Sequence, residues 1–131
     1  MTTDFSAITV FAALPVDDLD AAIDFYARLF GRAPDGRPAP HIAEYYLAPD
    51  RRPEGGTLQL HVDPARSGGG LATINVEDNG ALASSLRELG VAFDTRRIPI
   101  QAETVSAVTV GSFVDRDGNS VTVVQPHPVS R

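Results

Sequence analysis

Three histidines, His41, His61 and His127, are the side chains best suited to acid–base work or metal ligation. An imidazole titrates near neutral pH and binds transition metals through a neutral ring nitrogen. The spacing supports neither role strongly. No His-x-His or His-Glu-x-x-His run places two imidazoles over one ion. His61 lies two residues from Gln59 and shares its strand face. His41 and Glu44 fall on opposite faces of a neighbouring strand, and no carboxylate partner for His61 is evident. His127 stands between Pro126 and Pro128, near a terminus expected to be loose. Cysteine is absent, which excludes disulfides, thiolate zinc and a cysteine nucleophile. The run Asp115–Asn119 has the acids of a calcium loop, but its glycine comes too early and no bidentate glutamate follows. It reads as a hairpin turn. Gly68–Gly70 precedes a strand rather than a helix, so it lacks the helix N-terminus that cradles phosphate and reads as a hinge. No Gly-x-Ser-x-Gly elbow occurs.

The elements that must position these groups come as a repeat. Phe11–Asp18 and Leu71–Asp78 are apolar, strand-like runs ending in Val-acid-Asp, sixty residues apart. A helix is expected after each, with Asp18 and Asp78 as N-caps that accept from free first-turn N–H groups. Leu19, Ile23, Tyr26 and Phe30 share one helical face, as do Leu82, Leu86 and Leu89. Gly31 and Gly90 are the expected helix stops. Strands are expected at Arg32–Arg37, His41–Ala48 and Thr57–Asp63, then at Ala92–Arg97, Val105–Val114 and Ser120–Gln125. Pro49–Gly56 reads as a hairpin loop and Pro64–Gly70 as the linker between modules.

The 131 residues suit one domain, with 43% hydrophobic and 21% charged residues, a balance that excludes disorder. No apolar run approaches the roughly 18–20 residues that cross a bilayer, so no membrane partner is expected. Met1–Ser6 lacks a basic segment followed by an apolar one, and a cytoplasmic location is the expectation. The net charge of −6 disfavours nucleic acid and could favour a cationic ligand.

The duplicated plan, with Leu14–Leu19, Phe25-Tyr26, Leu29–Gly31 and the Phe113–Asn119 turn, resembles the vicinal-oxygen-chelate superfamily of glyoxalases, extradiol dioxygenases and bleomycin-resistance proteins. Arg116 stands where that family's turn usually has proline. The resemblance implies an α+β fold: two βαβββ modules forming a cupped, half-barrel mixed sheet with helices outside. Module one spans about residues 7–63, the linker 64–70 and module two about 71–126 of a single domain. It also implies a homodimer.

Metal-dependent relatives hold their ion on the first and last strands of each module. Those positions carry over to Phe11 and Leu71, and to Gln59 and Thr122. Phe and Leu have no lone pair, Thr is a poor ligand and Gln a weak one. No metal and no other cofactor is therefore expected. The resemblance and strand alternation together give a cavity lined by Phe11, Ala13, Tyr46, Gln59, His61, Leu71, Thr73, Phe113 and Thr122. Apolar walls with a few polar groups suit a flat, mainly apolar small molecule. The expected function is metal-independent binding of such a ligand, of the bleomycin-resistance type, without a catalytic residue. The alternatives are an enzyme using His61 without metal, a metalloenzyme with relocated ligands including His61, and a purely structural or regulatory dimer.

Overall fold

The computed structural model describes residues 6–129. Each module begins with a strand that runs into a helix, and the carboxylate between them sets the start. Strand β1, Phe11–Val16, leads to helix α1, Leu19–Phe30, where Asp18 Oδ1 accepts from the Ala21 N–H at 3.2 Å. Strand β5, Leu71–Asn75, leads to helix α2, Asn79–Glu88, where Asp78 Oδ1 accepts from the Gly80 N–H at 2.8 Å. Gly31 ends α1 at φ 73°, a left-handed conformation that glycine adopts without strain. Three strands follow each helix. They are β2, Gly36–Ala39, β3, Ile42–Tyr46, and β4, Thr57–Val62, then β6, Thr95–Pro99, β7, Val105–Val114, and β8, Ser120–Pro128.

The two sheets are equivalent, with orders β1-β4-β3-β2 and β5-β8-β7-β6. In each, the first strand pairs parallel to the last and the remaining pairs are antiparallel. This is the expected cupped pair of βαβββ modules, laid side by side with β1 next to β5. One face of each sheet packs on the helices. Leu14, Val16, Leu58 and Leu60 of the first sheet and Phe113, Val121 and Val123 of the second join Phe25, Tyr26, Leu29 and Leu86 in one core.

The modules are clasped by the turn between β7 and β8. Asp115 Oδ1 accepts from the backbone N–H groups of Asp117, Gly118 and Asn119 at 2.9, 3.0 and 2.9 Å. Its Oδ2 accepts from the Tyr26 hydroxyl of α1 at 2.8 Å and from Asn119 Nδ2 at 3.0 Å. Asn119 Nδ2 also donates to the Pro15 carbonyl of β1 at 2.9 Å, and its Oδ1 accepts from the Gly70 N–H at 2.7 Å. Asp117 Oδ1 accepts from the Asp17 N–H and the Ser67 hydroxyl. The segment read from sequence as a hairpin turn is thus also the joint between module one, the linker and module two.

Several strand boundaries differ from the sequence expectation, and three of them have a side-chain cause. The first post-helix strand starts at Gly36 rather than Arg32, because residues 32–35 spend their polar groups on a turn. Arg32 N–H bonds back to Ala27, while Asp35 Oδ2 takes both Arg32 Nη2 at 2.9 Å and the Tyr46 N–H at 2.8 Å. Strand β6 starts at Thr95 because Phe93 turns inward against Phe113 and occupies the space over Gly111. Strand β8 runs on through His127, whose Nε2 lies 2.6 Å from Thr109 Oγ1, so that end is paired rather than loose.

Candidate functional site

Residues paired across a sheet lie on the same face, so the registers define the face opposite the helices row by row. In the first module one row is Phe11, Thr57 and Tyr46. The next is Ala13, Gln59, Glu44 and Gly36, and the third is Pro15, His61, Ile42 and Ala39. In the second module the rows are Leu71, Ser120 and Val114, then Thr73, Thr122 and Ser112, then Asn75, Val124, Val110 and Arg96. Of the nine residues expected to line a cavity, Phe11, Ala13, Tyr46, Gln59 and His61 share the concave face of module one. Leu71, Thr73 and Thr122 share that of module two. The two sets lie on adjacent sheets; in a single chain Glu44 and Thr57 of the first face are buried, while the end residues of both faces are exposed. Leu71 is 82% exposed, Val114 54% and Phe11 40%.

Phe113 is the correction. Its parity places it on the helix side, where it is buried against Phe25 and Phe93 at ring separations of 6.3 and 6.4 Å. The register pairs it with core Val121, whereas its neighbour Ser112 faces the cup and meets Thr122 at 3.1 Å. Phe113→Leu is therefore expected to lower unfolding stability by about 1–1.5 kcal/mol in urea titration, with no change in the affinity of a cup ligand.

The polar floor of module one contains a residue that the sequence reading passed over. Glu44 is buried, and its Oε2 accepts from Gln59 Nε2 at 2.8 Å. Its Oε1 accepts from the Tyr46 hydroxyl at 3.2 Å. Burial, the Glu44 charge and this hydrogen bond together raise the Tyr46 pKa above the ordinary phenol value. Gly36 makes room for the arrangement, since a Cβ there would collide with the Tyr46 hydroxyl. The signal was available: Glu44 and Tyr46 are two residues apart in one strand and so must share a face. His41 lies just outside β3. The His41 ring nevertheless sits 5.3 Å from that of His61 at the edge of the face.

Phe11, Leu71, Gln59 and Thr122, onto which the resemblance carries a metal set, present two hydrocarbon side chains, an amide and a hydroxyl. The Gln59 amide nitrogen is turned to Glu44 and the Thr122 hydroxyl to Ser112. Among the described residues no three His, Asp or Glu side chains converge as metal ligands. This donor set does not fit a divalent ion. A separate groove of about 700 Å³ runs along the seam between modules. Phe30, Leu47, Ile74 and Leu82 are among its lining residues.

The family model of the Glyoxalase/Bleomycin resistance protein/Dioxygenase superfamily matches residues 8–123. No curated protein matches the chain in sequence. Among solved structures, a glyoxalase/bleomycin resistance protein from Catenulispora acidiphila is 28% identical with a TM-score of 0.70. That match covers 91% of this chain and 98% of the other. TnmS3, an antibiotic binding protein from a Streptomyces species, is 26% identical with a TM-score of 0.63, covering 95% and 99%. A bleomycin resistance determinant encoded on transposon Tn5 is 19% identical with a TM-score of 0.63, covering 94% and 98%, and shares the fold.

Proposed function

The chain belongs to the Glyoxalase/Bleomycin resistance protein/Dioxygenase superfamily, and from that premise we propose that it binds a flat, mainly apolar small molecule on its concave faces without a metal. The observation that carries this reading is the make-up of the first module's concave face. A polar row, Gln59 and Glu44, is flanked by Phe11 and Tyr46 on one side and by Ile42 and His61 on the other. Ring faces stack on a planar ligand, adding on the order of 0.5–1.5 kcal/mol per aromatic pair beyond area burial. The polar row orients the ligand. Hydrocarbon at residues 11 and 71 leaves no place for a catalytic ion. The Streptomyces relative, named as an antibiotic binding protein, supports the same class.

A second copy of the chain completes the cup in this proposal. Ile8, Val10, Leu71 and Val114 are 82%, 80%, 82% and 54% exposed. Large apolar side chains this exposed are expected to be covered by an isologous partner. Sedimentation equilibrium at micromolar concentration should give twice the 13.9 kDa chain mass, and a clean monomer would contradict it. Ligand binding is read by thermal shift across an aromatic library with chelator present. A binder at a hundred times its Kd gains about 2.7 kcal/mol of stability. A library without one aromatic hit would refute the proposal.

One observation favours a second reading, an enzyme that works without metal. His61 lies one row from Glu44 on the same face, although the Glu44 carboxylate bonds Gln59 and Tyr46 rather than the imidazole. On that reading His61→Ala abolishes turnover of a bound ligand while leaving its Kd within about twofold, since a rim imidazole adds little to affinity.

A further inference from the structure

Glu44 lies in the middle row of the first module's concave face with only 6% of its surface exposed. No cation answers it: among the described residues its carboxylate takes part in no ion pair. A buried ionised group is strongly disfavoured unless it is paired and hydrogen-bonded. Here two neutral donors hold it, Gln59 Nε2 on one oxygen and the Tyr46 hydroxyl on the other. A carboxylate offers about four lone-pair sites, so each oxygen keeps acceptor capacity. The donors around it are meanwhile spent on fixing it. Gln59, by turning its amide nitrogen to Glu44, leaves its own carbonyl oxygen as one more acceptor in the row.

The surroundings define what would fill that capacity. Ala13 and Gly36 flank the row's polar pair: the Tyr46 hydroxyl fills the space over Gly36, and the exposed Ala13 leaves the Gln59 end uncovered. The row on one side carries the Phe11 and Tyr46 rings, whose faces attract positive charge. The chain as a whole carries a net charge of −6, which draws organic cations and repels anions.

We infer that the ligand carries a protonated nitrogen, an amine or amidine on an apolar or aromatic frame, and that this nitrogen docks on Glu44 between Gln59 and Tyr46. The inference rests on the concave face being the small-molecule site, and it names the ligand class and the residue that selects it. Gln59 and Tyr46 are positioning residues, since they hold the carboxylate rather than meet the charge.

Three probes with one ring system test it by calorimetry at pH 7: 2-naphthylmethylamine, 2-naphthylmethanol and 2-naphthoate. A hydrogen bond to a charged partner gives the expectation that the amine binds about tenfold tighter than the alcohol or more. The naphthoate should be the weakest. In Glu44→Gln, of nearly the same shape, the amine should fall to within about twofold of the alcohol measured in the same variant. Equal binding of amine and alcohol to the wild-type protein would overturn the inference while leaving the aromatic site intact. So would an amine preference that survives in the variant. No binding of any probe at millimolar concentration would overturn the site reading and this inference with it. Should Glu44→Gln not fold, the wild-type ranking of the three probes decides alone.

Discussion

Replacing Asp115 with alanine is expected to cost about 3–5 kcal/mol of unfolding free energy, the largest single loss among polar positions of this chain. The side chain is 5% exposed and accepts from three backbone N–H groups, the Tyr26 hydroxyl and the Asn119 amide. Alanine leaves those donors without partners in a place water hardly reaches, and a buried donor left unmade costs more than a made bond gains. The loss should be cooperative across the chain, because the bonds tie α1 and the end of β1 to the second sheet. Tyr26→Phe removes only one of them and should cost about 1.5–3 kcal/mol, the range of a hydrogen bond to a charged partner. Arg116→Ala, exposed in the same turn, should stay within about 0.5 kcal/mol of wild type. Urea titration of the three variants decides the ranking. A mild Asp115→Ala would mean that the clasp is dispensable and that apolar packing alone joins the modules.

Alkaline pH should undo the fold steeply. Burial, the Asp115 charge and the hydrogen bond to Asp115 raise the Tyr26 pKa far above the phenol value. Burial, opposed by Arg32 and reinforced by Asp35, pushes that of Tyr45 up to about 12. A raised folded pKa means that the folded state holds its proton when the unfolded chain has lost it. The stability from each tyrosine is therefore complete below the unfolded pKa of about 10 and is lost as pH rises beyond it. Two such residues remove roughly 3 kcal/mol per pH unit above about pH 10, with the Tyr45 share exhausted near pH 12. Urea midpoints measured from pH 7 to pH 11.5 should be level to about pH 9.5 and then collapse. Tyr26→Phe and Tyr45→Phe should each remove about half of the slope, whatever they cost at neutral pH. A flat profile to pH 11.5 would show that water reaches both hydroxyls.

Much of the fold was legible because the chain says it twice. Asp18 and Asp78 cap helices as their spacing required, and Leu86 and Tyr26 bury the faces that helical periodicity assigned them. Strand starts were less legible where a side chain rather than the ladder takes up the backbone. Asp35 caps Tyr46, and Phe93 fills the space over Gly111, and neither act leaves a local pattern. Within the site, strand parity served well on β1, β4 and β5, where the repeat fixes the register. It failed for Phe113, which had no repeat partner to anchor it, so a one-residue choice sent it to the wrong face. The face of Glu44 was legible from Tyr46 two residues on, but its bonding was not. Its meaning comes from Gln59 across the ladder, and a partner fifteen residues away is not a motif.

On the proposed function, the concave face of the first module takes an aromatic ligand with no metal present. Amide and methyl chemical-shift mapping of isotope-labelled, metal-stripped protein with 2-naphthylmethanol measures this most directly. Saturable shifts are expected along β1, β3 and β4, centred on Ala13, Glu44, Tyr46 and Gln59, and unchanged by chelator. Shifts confined to the seam groove around Phe30, Leu47, Ile74 and Leu82, or binding that appears only after a divalent metal is restored, would contradict it.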